Sequence, residues 1–411
     1  MGLAVPEWKT VLLSEVADLN RGVSYSGPGL NKPGPLLVGM GQVDPADGLN
    51  LADARTYGGK IQPQHYLTDQ DVAVVMTDLT QEGALLGSPA MVPKTPVGEL
   101  VISHHLHRVR CRSAFNPRFA NYLFRGPRWK SFVDGMATGT TVRAVSQEDA
   151  GRFKFSLPPL TTQSAIVEVL ATLDEKIAHN RKQVLTVSSM IPLAFSVLVK
   201  GSDLKLLPSI ATVSKGVSYR SSELQLSDIA MMTLKSFDRG GGYKPDGLKP
   251  FIGRYKDDQV LSPGDIVVAQ TDLTQDAEVV GRVVVVPRQS QFTKLVASLD
   301  LIVIRPIDPL DHWFLYGALV QDDFRQHCRS WTSGTTVLHL SSDAIPRYEV
   351  PWADATIRGK VAAEIESLVH LMQSREVESA HLRAIRDALL PELLSGRLRV
   401  REVERFVEAA T

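Results

Sequence analysis

Residues 104–107 read His-His-Leu-His, the densest run of potential metal ligands in the chain. A structural zinc site takes four ligands from histidine, cysteine and carboxylates at fixed spacing. No cysteine or carboxylate stands at such spacing here. On a strand, adjacent His104 and His105 would point to opposite faces. No metal site is therefore expected. Arg108, Arg110 and Arg112 follow in alternation. On a strand they would share one face and could meet a row of phosphates. A solvated strand face would look the same.

Two Gly-Thr-Thr-Val segments, 139–142 and 334–337, carry small hydroxyl residues beside glycine. Such a loop lets a backbone approach a ligand closely, and threonine can contact phosphate, a base edge or a thymine methyl. A turn joining a helix to a strand has the same composition. Arg143 follows the first segment and Leu338 the second. Two Thr-Asp-Leu-Thr-Gln segments, 77–81 and 271–275, are identical, which suits a shared scaffold better than the reading of different sequences. Contacts that discriminate belong where the copies differ, at 57–66 against 251–259 and 26–31 against 220–224. The side chains there suited to base edges are Gln62, Gln64, His65, Arg254 and Lys256. The candidate nucleic-acid contacts are thus Ser24, Tyr25, Gln62, Gln64, His65, Arg108, Arg110, Thr140, Thr141 and Arg143 in the first half. In the second they are Ser218, Tyr219, Arg220, Arg254, Lys256, Thr335 and Thr336.

Signatures of enzymes are missing. There is no GxxxxGK[ST] loop, no GxGxxG opening a helix and no HExxH. The Asn/Asp-Pro-Pro-aromatic tetrapeptide of DNA methyltransferases is also absent; Leu157-Pro158-Pro159-Leu160 lacks its polar and aromatic ends. No catalytic residue is expected.

The elements that must position these residues come in two copies of about 195 residues. Arg21-Gly22-Val23-Ser24-Tyr25 returns as Lys215-Gly216-Val217-Ser218-Tyr219, a shift of 194. The Thr-Asp-Leu-Thr-Gln segments keep that shift, Val92-Pro93 returns as Val286-Pro287, and Gly-Thr-Thr-Val returns at 195. A period this long means duplicated domains, since solenoid repeats are far shorter. The first part of each copy has short β-branched runs punctuated by Gly, Pro and Asp, such as 71–76, 265–270, 283–286 and 301–304. Short helices are expected around 117–134 and 311–329. The second part of each copy is helical. Ile166, Leu170, Leu173, Ile177, Val184, Val187 and Ile191 keep a 4-3 spacing, with Asn180 in register. Val361, Ile365, Leu368, Met372, Leu382, Leu389 and Leu393 do the same, with Arg375, Ser379 and Arg386 between them. Pro158-Pro159 and Pro351 mark extended lead-ins. Pro192 and Pro391 suggest a kink or stop near the far ends. Neither stripe can be hidden by its own helix. Each helix packs either on its own domain or on the other helix, antiparallel, with the domains at opposite ends. About 30 helical residues at about 1.5 Å each would make a rod of about 45 Å, longer than the roughly 34 Å turn of B-DNA. The fold class expected is α+β: two β-rich domains separated by two long helices packed as an antiparallel coiled coil, with a pseudo-two-fold internal repeat.

Composition sets outer bounds. The 411 residues exceed one ordinary core. Cys111 and Cys328 are the only cysteines, far apart, which argues against a disulfide framework and fits a reducing cytoplasm. The opening residues lack a basic stretch followed by an apolar one, so no signal peptide is expected, and no apolar run approaches the roughly 18 residues of a membrane span. Lys+Arg and Asp+Glu each number 45, so the net charge is zero, which taken alone disfavours nucleic acid. Yet residues 101–154 hold ten Lys/Arg and three Asp/Glu, so a local basic patch survives a neutral total.

Leu157-Pro158-Pro159-Leu160 followed by Gln163, Ile166, Leu170, Leu173, Asp174, Ile177 and Asn180 resembles the central conserved region of type I restriction–modification specificity (S) subunits. The stretch Leu389-Leu390-Pro391-Glu392-Leu393-Leu394-Ser395-Gly396 resembles their distal conserved region. Trp8-Lys9, Leu13 and Gly22 resemble the start of a target-recognition domain. The second copy departs at Pro351-Trp352-Ala353-Asp354 and lacks the glutamine, so that junction matches less well. The resemblance implies target-recognition domains at 1–157 and 201–352, a central spacer helix at 158–200, and a C-terminal spacer helix and tail at 353–411. It implies a non-catalytic subunit that binds a bipartite double-stranded DNA site, one half per domain. Gln163, Ile166, Leu170, Leu173, Ile177, Ile365, Leu368, Met372, Leu382 and Leu389 would form the seam or the docking surface for two modification (methyltransferase) subunits. S-adenosylmethionine would be bound by those partners, and ATP and magnesium by a restriction subunit where one is present; this chain would hold no cofactor. The alternative from another class is a coiled-coil scaffold that binds proteins without DNA specificity, which the neutral charge favours. An enzyme assembled from unrecognised loops is the third.

Overall fold

The computed structural model describes residues 8–44, 48–79, 83–92, 98–139, 142–238, 241–244, 247–273, 276–288 and 291–400. The helices that matter are α1 (Pro117–Arg125), α2 (Pro127–Met136), α3 (Leu160–Leu198), α4 (His312–Leu319), α5 (Asp322–Ser330) and α6 (Ala355–Ser395). The chain divides into two compact units: residues 1–179 with 378–411, and residues 180–377. The division falls inside both long helices, so α3 and α6 each lend one portion to each unit.

In unit 1 the strands that position the site are β1 (Ala17–Arg21), β2 (Leu36–Val38), β3 (Asp71–Val75), β4 (Thr77–Asp78), β5 (Leu100–Ile102), β6 (Leu106–Cys111) and β7 (Arg143–Ala144). One four-stranded sheet has the order Pro89–Met91, β3, β6, β1, and a second the order Arg55–Thr56, β2, β5, Tyr66–Leu67. Within the second, β2 and β5 run parallel and the other pairs antiparallel. Past Asp71, β3 is apolar because both its faces are covered. Successive strand residues point to opposite sides, and Val72 and Val74 enter a core with the helices while Ala73 and Val75 enter a core with the second sheet.

Unit 2 has the same plan, with β8 (Ala211–Lys215), β9 (Ile229–Met232), β10 (Ile266–Ala269), β11 (Thr271–Asp272), β12 (Lys294–Ala297), β13 (Leu301–Pro306) and β14 (Leu338–Leu340). Its sheets read β8, β13, β10, Val283–Val285 and Lys249–Pro250, β9, β12, Val260–Leu261, matching unit 1 strand for strand. Ile266 and Val268 face the helical core, and Val267 and Ala269 the other.

Each expected short helix is a pair, because Gly126-Pro127 interrupts the first and Val320-Gln321 the second. The long helices exceed the expected 30 residues, at 39 and 41, and neither stops at its proline. An interior proline removes one backbone donor and costs roughly 3 kcal/mol. Burial of Ile191, Phe195 and Val199 around Pro192, and of Leu390 and Leu393 around Pro391, offsets that loss. Gly396 ends α6 at φ 72°, with the Trp8 indole 3.2 Å from where a Cβ would stand, so a larger residue would be both strained and crowded.

Inside unit 1, the start of α3 and the end of α6 share a core: Ile166, Val167 and Leu170 with Leu390 and Leu393. Here the helices run in opposite directions, since Asp174 accepts from Arg386 Nη1 at 2.8 Å and Lys176 pairs with Glu378 at 3.3 Å. Inside unit 2, Ile191 and Phe195 of α3 and Val199 just beyond it share a core with Val361, Ile365 and Val369 of α6. Each long helix therefore packs both on β-rich structure and beside helix. Leu368 and Leu389 of the expected seam are only partly buried, and Val369 and Leu390 take the inner positions.

A clip fastens each long helix at its start. Gln163 is wholly buried; its Nε2 donates to the carbonyls of Ala114 and Pro158 (3.0 and 2.8 Å), and its Oε1 accepts from the Asn116 N–H at 2.8 Å. At a shift of 195, Arg358 donates to the carbonyl of Ala353 (2.9 Å) and to Asp311 Oδ1 (2.6 Å). The missing glutamine is thus an arginine whose partner, in place of a backbone amide, is the carboxylate of Asp311.

Candidate nucleic-acid interface

Three recurring segments come together around one turn in unit 1. β5 passes to β6 through Ser103-His104-His105-Leu106, closed by the Leu106 N–H donating to the Ser103 carbonyl at 2.9 Å. The His104 N–H donates to the Val23 carbonyl (2.9 Å), and the Met76 and Thr77 N–H groups donate to the His105 carbonyl (2.9 and 3.1 Å). β7 pairs with β4, Arg143 opposite Asp78, and the Val145 N–H donates to the Met76 carbonyl at 3.0 Å. The Arg-Gly-Val-Ser-Tyr and Thr-Asp-Leu segments and the strand after Gly-Thr-Thr are therefore neighbours. Gly22 is required there, because a Cβ would stand 2.2 Å from the Ser103 carbonyl oxygen.

Unit 2 repeats four of these five bonds. The Leu301 N–H donates to the Ser298 carbonyl (2.9 Å), Leu299 N–H to Val217 (2.8 Å), Gln270 N–H to Asp300 (2.9 Å) and Leu340 N–H to Gln270 (2.8 Å). β14 pairs with β11, Leu338 opposite Asp272. A Cβ on Gly216 would lie 2.0 Å from the Ser298 carbonyl oxygen. Asp78 and Asp272 are buried and accept backbone N–H groups from Leu85 (2.7 Å) and Val280 (3.0 Å), while Leu79 and Leu273 beside them are exposed.

The turn corrects the reading of His104 and His105 as strand residues on opposite faces. Their rings lie 3.9 Å apart, with the Tyr25 ring 5.4 Å from His104. His107 is the strand residue; burial and then the Arg21 charge push its imidazole down to about 4. Among the described residues no three His, Cys, Asp or Glu side chains are grouped to hold a metal.

The arginine strip has internal partners. Arg108 is buried, with Nη1 donating to the Tyr66 carbonyl (3.1 Å) and Nη2 to Asn20 Oδ1 (2.7 Å). Arg110 grips Asp71 with Nε and Nη2, both at 2.7 Å, and Arg112 donates to Asp18 Oδ1 at 2.7 Å. Arg305 repeats the grip on Asp265, with Nε at 2.9 Å and Nη2 at 2.5 Å. The alternation in sequence is real, but carboxylates and carbonyls on neighbouring strands take these guanidiniums.

Of the other candidates, Ser24, Ser218, Arg220, Arg254, Lys256, Thr335 and Thr336 are exposed, and Tyr25 and Tyr219 half-buried. Gln62 is exposed and Gln64 bonds to it; the Gln62 N–H donates to His65 Nδ1 at 3.3 Å. Burial and then Arg108 lower the His65 imidazole. The Lys256 N–H donates to Gln259 Oε1 at 2.9 Å, the same local turn in unit 2. Arg143 donates to the Asp134 carbonyl at 3.1 Å. Thr140 and Thr141, with Thr80, Gln81, Pro93, Thr274 and Gln275 of the recurring segments, lie outside the described residues. Of the helix candidates, Gln163, Ile166, Leu170, Ile177 and Ile365 are buried inside their units, and Leu173, Leu368, Met372, Leu382 and Leu389 are half-buried. The Gln163 amide is bonded on both its ends within unit 1.

Residues 6–187 match the family model described as "Type I restriction modification DNA specificity domain". No curated protein matches the chain. Among solved structures, the type I restriction-modification S subunit from M. genitalium is similar at TM-score 0.54 and 15% identity, covering 95% of this chain and 96% of that one. The HsdS subunit from Thermoanaerobacter tengcongensis is similar at TM-score 0.36 and 16% identity over 96% and 98% of the two chains. Residues 6–187 therefore carry a type I restriction–modification DNA specificity domain, and the chain shares its fold with the M. genitalium S subunit along nearly its whole length.

Proposed function

We propose that the chain reads a bipartite double-stranded DNA site, one half per unit, for a type I restriction–modification enzyme whose chemistry is done by other subunits. The observation that carries this is the pair of matched surfaces, in which recurring segments build the same frame and differing side chains stand on it. α3 and α6 act as an antiparallel spacer pair and as the docking surface for two modification subunits. Those partners bind S-adenosylmethionine and methylate adenine; a restriction subunit, where present, binds ATP and magnesium. Among the described residues no helix is long and apolar enough to cross a membrane.

The test is DNA binding by the chain assembled with its modification partner, titrated with salt, together with mapping of methylated adenines. Each phosphate contact adds about −0.9 to the slope of log K against log salt, so several contacts give a steep fall. A split methylation motif with a fixed gap is the expected pattern. An assembly with neither a salt slope nor a sequence preference would leave the protein-binding scaffold, which the zero net charge favours.

A further inference from the structure

The two turns described above share a backbone and differ at their tips. In unit 1 the tip is His104-His105. In unit 2, at a shift of 195, it is Leu299-Asp300. The residues that hold the turns are the same in kind: Gly22 and Gly216 beneath them, Ser103 and Ser298 at their start, Leu106 and Leu301 at their end, Thr77 and Thr271 alongside. Among these positions the sequence changes chemical class only at the two tip residues, of which Leu299 is exposed and His104, His105 and Asp300 are half-buried.

The tips differ in what they can recognise. Tyr57, Tyr25 and His104 form a chain of ring contacts, at 6.3 Å and 5.4 Å, ending in the 3.9 Å pair of imidazoles. Arg21 Nε donates to the His104 carbonyl at 3.1 Å and fixes the base of the turn. Burial, then Arg21, lowers the His104 imidazole against a raising backbone bond from Val23. Burial, then His104 and Arg21, lowers that of His105. Near neutral pH each ring is uncharged, with one donor and one acceptor nitrogen, which suits base edges more than phosphates. In unit 2, Leu299 is 45% exposed and offers an apolar surface. Asp300 is held by the Thr271 hydroxyl, which donates to Oδ1 at 2.9 Å, and its carboxylate can only accept. Leucine suits a thymine methyl, and aspartate a cytosine amino group.

We propose that this turn is the base-reading tip of each unit, His104 and His105 discriminating one half-site and Leu299 and Asp300 the other. The inference rests on the DNA-specificity reading and adds the side chains that carry it.

The experiment uses the full chain with its modification partner. His104→Leu with His105→Asp transplants the second tip onto unit 1, and Leu299→His with Asp300→His does the reverse. Methylated adenines are mapped for the parent and both variants, with affinity for parent and altered half-sites. Each variant is expected to change or relax one half-site, the parent half-site weakening by about ten- to a hundredfold, while the other half-site and the gap stay fixed. Where a double variant fails to fold, His104→Asn and His105→Asn singly give the same readout. A parent assembly without a bipartite preference would defeat the specificity reading itself. A bipartite parent whose variants methylate the same site at parental affinity, or change both half-sites together, would overturn the turn alone.

Discussion

Asp71 is fully buried, and among the described residues its charged neighbour in hydrogen-bond reach is Arg110, whose side chain is 41% exposed. Removing one member of such a pair leaves a carboxylate in the interior with no counter-charge, and that residual desolvation is what costs stability. Because the arginine half is open to water, the loss from Arg110→Ala is on the order of 1–3 kcal/mol, below that of a fully enclosed pair. Arg305→Ala should act similarly on Asp265. Thermal or denaturant unfolding measures this. The companion measurement is the salt slope of DNA binding: a phosphate contact would lower it by about one, and here no change is expected. A lower slope at unchanged stability would return Arg110 to the DNA surface. The alternation of Arg108, Arg110 and Arg112 was legible in the sequence as one strand face. Their partners were not, because Asp71 lies 39 residues away and only the pairing of β3 with β6 brings it opposite. The two histidines were misread for a related reason. Adjacent residues on a strand diverge, but a tight turn brings their rings together, and the turn is fixed by bonds from Val23, Met76 and Thr77 in distant segments.

Among the elements, the long helices were the most legible, since a 4-3 stripe reports its own period. Their ends were less so, because packing around Pro192 and Pro391 outweighs the local signal to stop. What they pack on was not legible at all. Glu376 of α6 shows this: no periodicity marks it, yet burial in unit 2 pushes its carboxyl up to about 7. Burial also pushes the nearby Tyr316 hydroxyl up to about 12, with the charge of Glu376 adding to it. A carboxyl with a raised folded value holds its proton in the folded chain after the unfolded chain has lost it. Stability is therefore full below the usual carboxylate range, falls as pH rises, and levels off above about 7. Glu376→Gln keeps the shape and cannot ionise. It should raise the unfolding midpoint at pH 8 by an amount equivalent to roughly 1–3 kcal/mol and change little at pH 4. An equal shift at both values would mean that ionisation of Glu376 is not what limits the helix there.

At the scale of the whole molecule, α3 and α6 each contribute to both units. In unit 1 the end of α6 lies with the start of α3; in unit 2 the start of α6 lies with the end of α3. A helix of 39 residues rising about 1.5 Å each is about 58 Å long. If this pair spaces the two reading surfaces, its length sets the gap in the DNA site and the surfaces set only the half-sites. Deleting about one heptad from each helix keeps the inward faces aligned, because seven residues are close to two turns. The deletion shortens the helices by about 10 Å, close to three base pairs of B-DNA. The clips at Gln163 and Arg358 stay intact if the deletions fall between 181 and 187 and, opposite, between 371 and 377. The expected methylation map then shows both half-sites unchanged and a gap shorter by about three base pairs. Deleting five residues in place of seven rotates the seam by about 140° away from its partner, at about 100° per residue, and should unfold the assembly. An unchanged gap after the heptad deletion, in a complex that still methylates, would separate the helices from the spacing of the site and leave them only the docking of the partner subunits.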